Sequence, residues 1–158
     1  EAEKQVKIAE DALKAKLKAA QEYVNNYNTL ISNIQTEASS KVAQVKSEKE
    51  LIESMGLMTP DKAREYQNQM YDIQKEGLDR IIKETETALS SEEITDEQRL
   101  QLQVKYSGLI IQTITQENAN KKALNKITLD EINKDTEDKL KELQDTYKKT
   151  DVIRGYID

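Results

Sequence analysis

The stretch Met55-Gly56-Leu57-Met58-Thr59-Pro60-Asp61 decides how this chain folds, because one helix must end there and another begin. Glycine enters the left-handed backbone region without steric penalty, which marks Gly56 as the stop. Thr59 is placed to cap the next helix through its hydroxyl. Pro60 then falls at the first helical position, where its missing N–H costs nothing. Met58, just before the cap, is positioned to fold onto Ala63 as a hydrophobic staple. Helical patterning runs on both sides, so the stretch predicts the tip of an antiparallel helical hairpin.

Upstream of the tip, residues 2–55 read as one helix. Leu13, Ala20, Tyr27 and Ile34 recur at heptad spacing, interleaved with Leu17, Val24, Ile31, Ala38, Val45 and Ile52. Apolar positions at alternating three- and four-residue steps are the seam of a coiled coil. Acid-before-base pairs four apart, such as Glu3/Lys7 and Glu10/Lys14, support the exposed face. At 1.5 Å per residue the helix would be roughly 80 Å long.

Downstream, a second helix runs from Pro60 to about Leu89, with Ala63, Tyr66, Met70, Ile73, Gly77, Ile81 and Ala88 on one face. Folding back at Gly56 sets Ile52 beside Ala63, Val45 beside Met70, Val42 beside Ile73, Ala38 beside Gly77 and Ile34 beside Ile81. Apolar meets apolar at each level. This helix is about half as long as the first, so residues 1–26 find no partner within the hairpin.

A second reversal is expected between Ser90 and Gln98, where Thr95 and Gln98 have capping-box spacing and Asp96 and Glu97 suit a helix N-terminus. The third helix, about 96–148, would use Val104, Tyr106, Leu109, Ile110, Ile111 and Ile114 as its seam. Folding at this reversal sets Gly77 opposite Gly108, so Ala38, Gly77 and Gly108 form one layer of small residues, a site of close helix contact. A further start signal stands at Ile127-Thr128, where Thr128 and Glu131 have capping-box spacing. It reads either as the start of a fourth helix near 128 or as a point within one long, bent helix. Met58-Thr59, Ile94-Thr95 and Ile127-Thr128 resemble one another, as a degenerate repeat or as similar caps.

The fold class is therefore all-α: elongated antiparallel hairpins of three long helices, in one domain spanning 1–158. The composition agrees. Charged residues make up 34 %, aromatics only 4 %, and four Gly and one Pro leave little for a β or loop-rich fold. The chain starts at Glu1 without an initiator Met, which reads as a piece of a longer protein.

The same composition narrows function. Net charge is −6, and no basic stripe stands clear of acidic neighbours, so no nucleic-acid partner is expected. The longest apolar run, Leu109-Ile110-Ile111, is far too short for a membrane span. With no His and no Cys, the usual base and the thiol nucleophile are both missing, and glycine-rich phosphate loops are absent. Glu92, Glu93, Asp96 and Glu97 are better explained by the helix dipole than by a metal. No catalytic residue, cofactor or metal site is expected. Tyr27, Tyr66 and Tyr106 read as seam residues with hydroxyls reaching solvent, and Tyr23 and Tyr71 as rim packing.

What remains are unpaired apolar seams. Val6, Leu13, Leu17 and Val24 on the first helix, and Ile132, Leu140 and Leu143 on the third, are the candidate interaction seam, pointing to self-association or packing on other structural proteins. Glu93-Ile94-Thr95-Asp96-Glu97-Gln98-Arg99-Leu100, continuing to Tyr106, resembles linkers in the helical regions of phage tail tape-measure proteins, as does Ile127 to Leu140. The likeness is one of composition and covers most of the chain. Such proteins are long, helical and oligomeric, fill the tail tube and set its length. The resemblance implies a structural role in a virion tail or prophage, or in the bacterial cytoplasm during assembly, and no enzyme. The competing expectation is a bacterial helical adaptor domain that binds a protein partner along an exposed seam.

Overall fold

The computed structural model describes residues 1–157 and is all-α: α1 (Ala2–Ser54), α2 (Pro60–Leu89) and α3 (Asp96–Ile157). The first reversal forms as expected. The Gly56 N–H donates to the Glu53 carbonyl (3.0 Å) and the Leu57 N–H to the Ile52 carbonyl (3.1 Å), with Gly56 at φ +69°. This pair of bonds is a Schellman closure, and it satisfies carbonyls that the end of α1 would otherwise leave open. Thr59 then accepts from the Lys62 N–H (3.2 Å) at the start of α2.

α2 is the shared partner of the bundle, with α1 packed along one side and α3 along the other. Three observations fix the α1–α2 register. A Cβ built on Gly77 would lie 3.1 Å from the Ala38 Cβ. Arg80 reaches Glu37 (3.4 Å), and the Tyr27 hydroxyl meets Thr85 (2.5 Å). The core is concentrated where all three helices run together: Tyr27, Ile31 and Ile34 from α1, Leu78, Ile81 and Ala88 from α2, Leu102 and Leu109 from α3. Ile94, from the second turn, closes its lower end.

That second turn is built as the spacing predicts, with a reciprocal capping box. The Thr95 N–H donates to the Gln98 side chain (2.9 Å), and the Gln98 N–H donates to the Thr95 hydroxyl (3.1 Å). Arg99 reaches back to donate to the carbonyls of Leu89 and Ser91, occupying acceptors at the end of α2. With Ile94 buried and Arg99 level with Leu89, α3 runs ahead of the expected α2–α3 register. Tyr106 consequently bonds Glu86 (3.0 Å) and Gln67 bonds Asn120 (3.1 Å).

Four expectations need correction. Gly108 does not join a layer with Ala38 and Gly77: it is exposed, with nothing within 4 Å of a Cβ built on it. Its neighbour Leu109 takes the buried position, and Gly77 faces Gln112 and Gln116 across a groove instead. Of the two readings at Thr128 the single long helix holds and no fourth helix starts there; what needs correction is its end, since α3 continues past 148 to Ile157. The two residues read as a capping box have other partners: the Thr128 hydroxyl donates to the Leu124 carbonyl (3.3 Å), and Arg64 of α2 bridges to Glu131 and Asp61. With no Gly or Pro in the segment, the helix has no reason to stop.

The third correction concerns Val24, which is half-buried against the core rather than free. The bundle reaches Ala20 (1 % exposed), because Ile94 and the second turn cover the level below α2. The unpartnered part of α1 is residues 1–19, all exposed. The fourth concerns Tyr27, whose hydroxyl is not in solvent but buried against Thr85.

Candidate interaction surface

Each face of α3 has its own fate. The inner face alternates steps of four and three through Leu102, Tyr106, Leu109, Thr113, Gln116, Asn120, Ala123 and Ile127, every one buried or half-buried. Past Glu131 the same face presents Lys134, Asp138, Lys141 and Asp145, all exposed. The apolar inner stripe thus ends level with the start of α2, where Arg64 meets Glu131. The chain itself terminates the bundle at that point, since a charged face has nothing to gain from burial.

The seam expected on α3 is mostly not this face. Of its six residues only Tyr106 and Leu109 point inward; Val104, Ile110, Ile111 and Ile114 are exposed. The true inner face runs through Thr113, Gln116 and Asn120, polar positions that a search for apolar periodicity passes over. Val104, Ile111 and Ile114 lie instead on an outer stripe that starts at Leu100 and continues through Leu129, Ile132, Leu140, Leu143 and Tyr147. These nine side chains are 52–70 % exposed.

α1 behaves differently. Its inner stripe continues unchanged past the bundle as Leu17, Leu13, Ala9 and Val6, on the face that buries Ala20 and Tyr27 further along. Val6, Leu13 and Leu17 are about half exposed, and none of them enters the core. Ile132, Leu140 and Leu143 are equally bare at the opposite end of the molecule, because α1 and α3 run parallel and project in opposite directions. At 1.5 Å per residue the projections are roughly 27 Å (residues 2–19) and roughly 39 Å (residues 132–157) long. Of the candidate seam residues, all but Val24 are therefore free.

One polar cluster lies inside. Thr85 is fully buried and donates to the Ile81 carbonyl (2.7 Å), so its single proton is committed. The Tyr27 hydroxyl must then be the donor to Thr85. Burial pushes the Tyr27 hydroxyl above its usual titration range. Lys105 lies with its ammonium 4.8 Å from the centre of the Tyr27 ring, and burial lowers its proton affinity. The three residues tie all three helices together at one level. A phenol that holds its proton more firmly stays neutral, and the three groups hold the helices in register at this level.

A groove of about 390 Å³ runs between the helices where the inner face of α3 turns polar, lined by Ala38, Val42, Lys46, Gly77, Gln112 and Gln116 among others. Tyr27 and Lys105 do not line it. Among the described residues, no three acidic side chains converge as a metal site, and no helix is long and apolar enough to cross a membrane. Comparison with protein-family models, curated proteins and solved structures returned no match.

Proposed function

We propose that this chain is a structural, non-catalytic helical segment that works by self-association along its exposed apolar seams. The observation behind this reading is the continuity of the α1 stripe. Val6, Leu13 and Leu17 follow the spacing that buries Ala20 and Tyr27, yet lie where the chain provides nothing to cover them. In a protein most helical stability comes from packing an apolar face rather than from propensity. A stripe of large apolar side chains on a projecting helix marks an association surface. The role fits the resemblance to tape-measure proteins, oligomeric helical components of a virion tail, and it calls for no cofactor.

Sedimentation across a wide concentration range tests the reading. The mass of the native chain should rise with concentration, and Leu13→Glu with Leu17→Glu should lower it at any given concentration while helicity is kept. A monomer at every concentration overturns self-association.

A further inference from the structure

We infer that the outer face of α3 is the contact surface for a second copy of this chain, forming a two-fold dimer. This rests on the reading that the chain acts by association, and it adds a second surface to the α1 stripe.

Alignment is the first argument. Inner-face residues of α3 recur every seven, as Leu102 and Leu109 do, and the outer stripe holds the opposite face with spacings of seven (Val104 to Ile111, Leu140 to Tyr147) and eleven (Leu100 to Ile111, Leu129 to Leu140, Ile132 to Leu143). Both spacings return to nearly the same side of a helix with 3.6 residues per turn. The stripe lies in two apolar patches on that one side, Leu100 to Ile114 behind the bundle and Leu129 to Tyr147 running onto the projecting end, with the exposed Asn118, Lys122 and Asn125 between them; end to end it is roughly 70 Å long. A single partner of similar length can cover all of it, and α3 of a second copy has that length.

Area is the second. Eight aliphatic side chains at roughly 60–120 Å² each would remove about 500–1,000 Å² per copy from water. A stable dimer needs about 800 Å² per partner. The stripe therefore falls in the size range of a dimer interface without the α1 seam.

Charge is the third. The chain as a whole carries −6, but α3 carries 11 acidic and 11 basic residues. The excess negative charge sits on α2, the second turn and the two terminal residues, while α1 is balanced at 8 acidic and 8 basic residues. Two copies meeting through α3 present neutral helices to each other and keep the acidic α2 and second turn out of the contact, which removes charge repulsion from it.

Val104→Asp with Ile111→Asp tests the proposal, because both side chains point away from the bundle and the substitutions leave its core intact. With the α1 seam removed by Leu13→Glu/Leu17→Glu, equilibrium sedimentation should still give a dimer, and adding Val104→Asp/Ile111→Asp should make its dissociation constant at least about 100-fold weaker. Circular dichroism should show equal helicity for the two. A native chain that is monomeric at every concentration overturns both the dimer and the self-association reading. An assembly unaffected by Val104→Asp/Ile111→Asp but broken by Leu13→Glu/Leu17→Glu overturns the α3 interface alone.

Discussion

Along α1 one apolar stripe passes through two environments. From Ala20 to Ile52 it is covered by α2, the second turn and α3; from Ala2 to Leu17 it is bare, and the spacing does not change at the boundary. α3 crosses the corresponding boundary at the other end quite differently. Its inner face switches from Ile127 to Lys134 and Asp138 as soon as α2 is no longer beside it. One helix carries its seam out of the bundle and the other shuts its seam off. Periodicity therefore marks a face that wants a partner, and only the lengths of the neighbouring helices say whether the chain supplies one.

The largest expected effect separates the covered and bare parts of α1. Ile34 is 3 % exposed, so Ile34→Ala should cost about 2–5 kcal/mol. Leu13→Ala, on the same stripe, should change stability by no more than about 0.5 kcal/mol in dilute solution. Urea unfolding followed by circular dichroism measures both. Equal losses would mean that the projecting end is covered, and the distinction between the two environments would fail.

The two mid-helix glycines sharpen the comparison at smaller amplitude. A Cβ on Gly77 lies 3.1 Å from Ala38, so a large side chain there must push α1 and α2 apart. Gly77→Leu should destabilise by about 1–3 kcal/mol. Gly108 has open space, and Gly108→Ala should stabilise by up to about 1 kcal/mol through helix propensity alone. The reverse order in thermal melts would restore the layer of small residues that the spacing alone suggests.

The fold was legible wherever a local device enforces it. Gly56, Thr59 and Pro60 define a turn by backbone chemistry, and Thr95 with Gln98 does the same at the second. The α1–α2 register was legible too, since apolar residues meet at each level once the tip is placed. What could not be read was the orientation of α3. Its two apolar stripes are of similar strength, and the inner one is diluted by Thr113, Gln116 and Asn120. The depth of the second turn chooses between them, and that depth depends on Ile94 entering the core and Arg99 clasping the Leu89 and Ser91 carbonyls. Both are tertiary events. The exposed seams at Val6, Leu13, Leu17, Ile132, Leu140 and Leu143 were visible because charged neighbours frame them. Val24 was misplaced because a turn, not a helix, covers that level.

The smallest effect belongs to the tie across the shared middle. Tyr27→Phe keeps the ring beneath Lys105 and leaves the Thr85 bond to Ile81 intact, so it removes one hydrogen bond and should cost about 1 kcal/mol. Its pH dependence is more informative. Burial raises the folded-state pKa of Tyr27 above its ordinary 10.0, so in alkali the unfolded chain loses this proton first and binds fewer protons than the folded one. Stability tied to Tyr27 is thus fully present below about pH 10 and is lost as pH climbs through the folded value. Lys105 works in the other direction, since burial lowers its pKa and the folded chain releases that proton earlier. Both chains contain Lys105, so the difference between native and Tyr27→Phe melting temperatures isolates the phenol. That difference should shrink as pH rises past about 10. A gap that stays constant through the alkaline range would place the hydroxyl in water, where α1 and α2 could slide past one another.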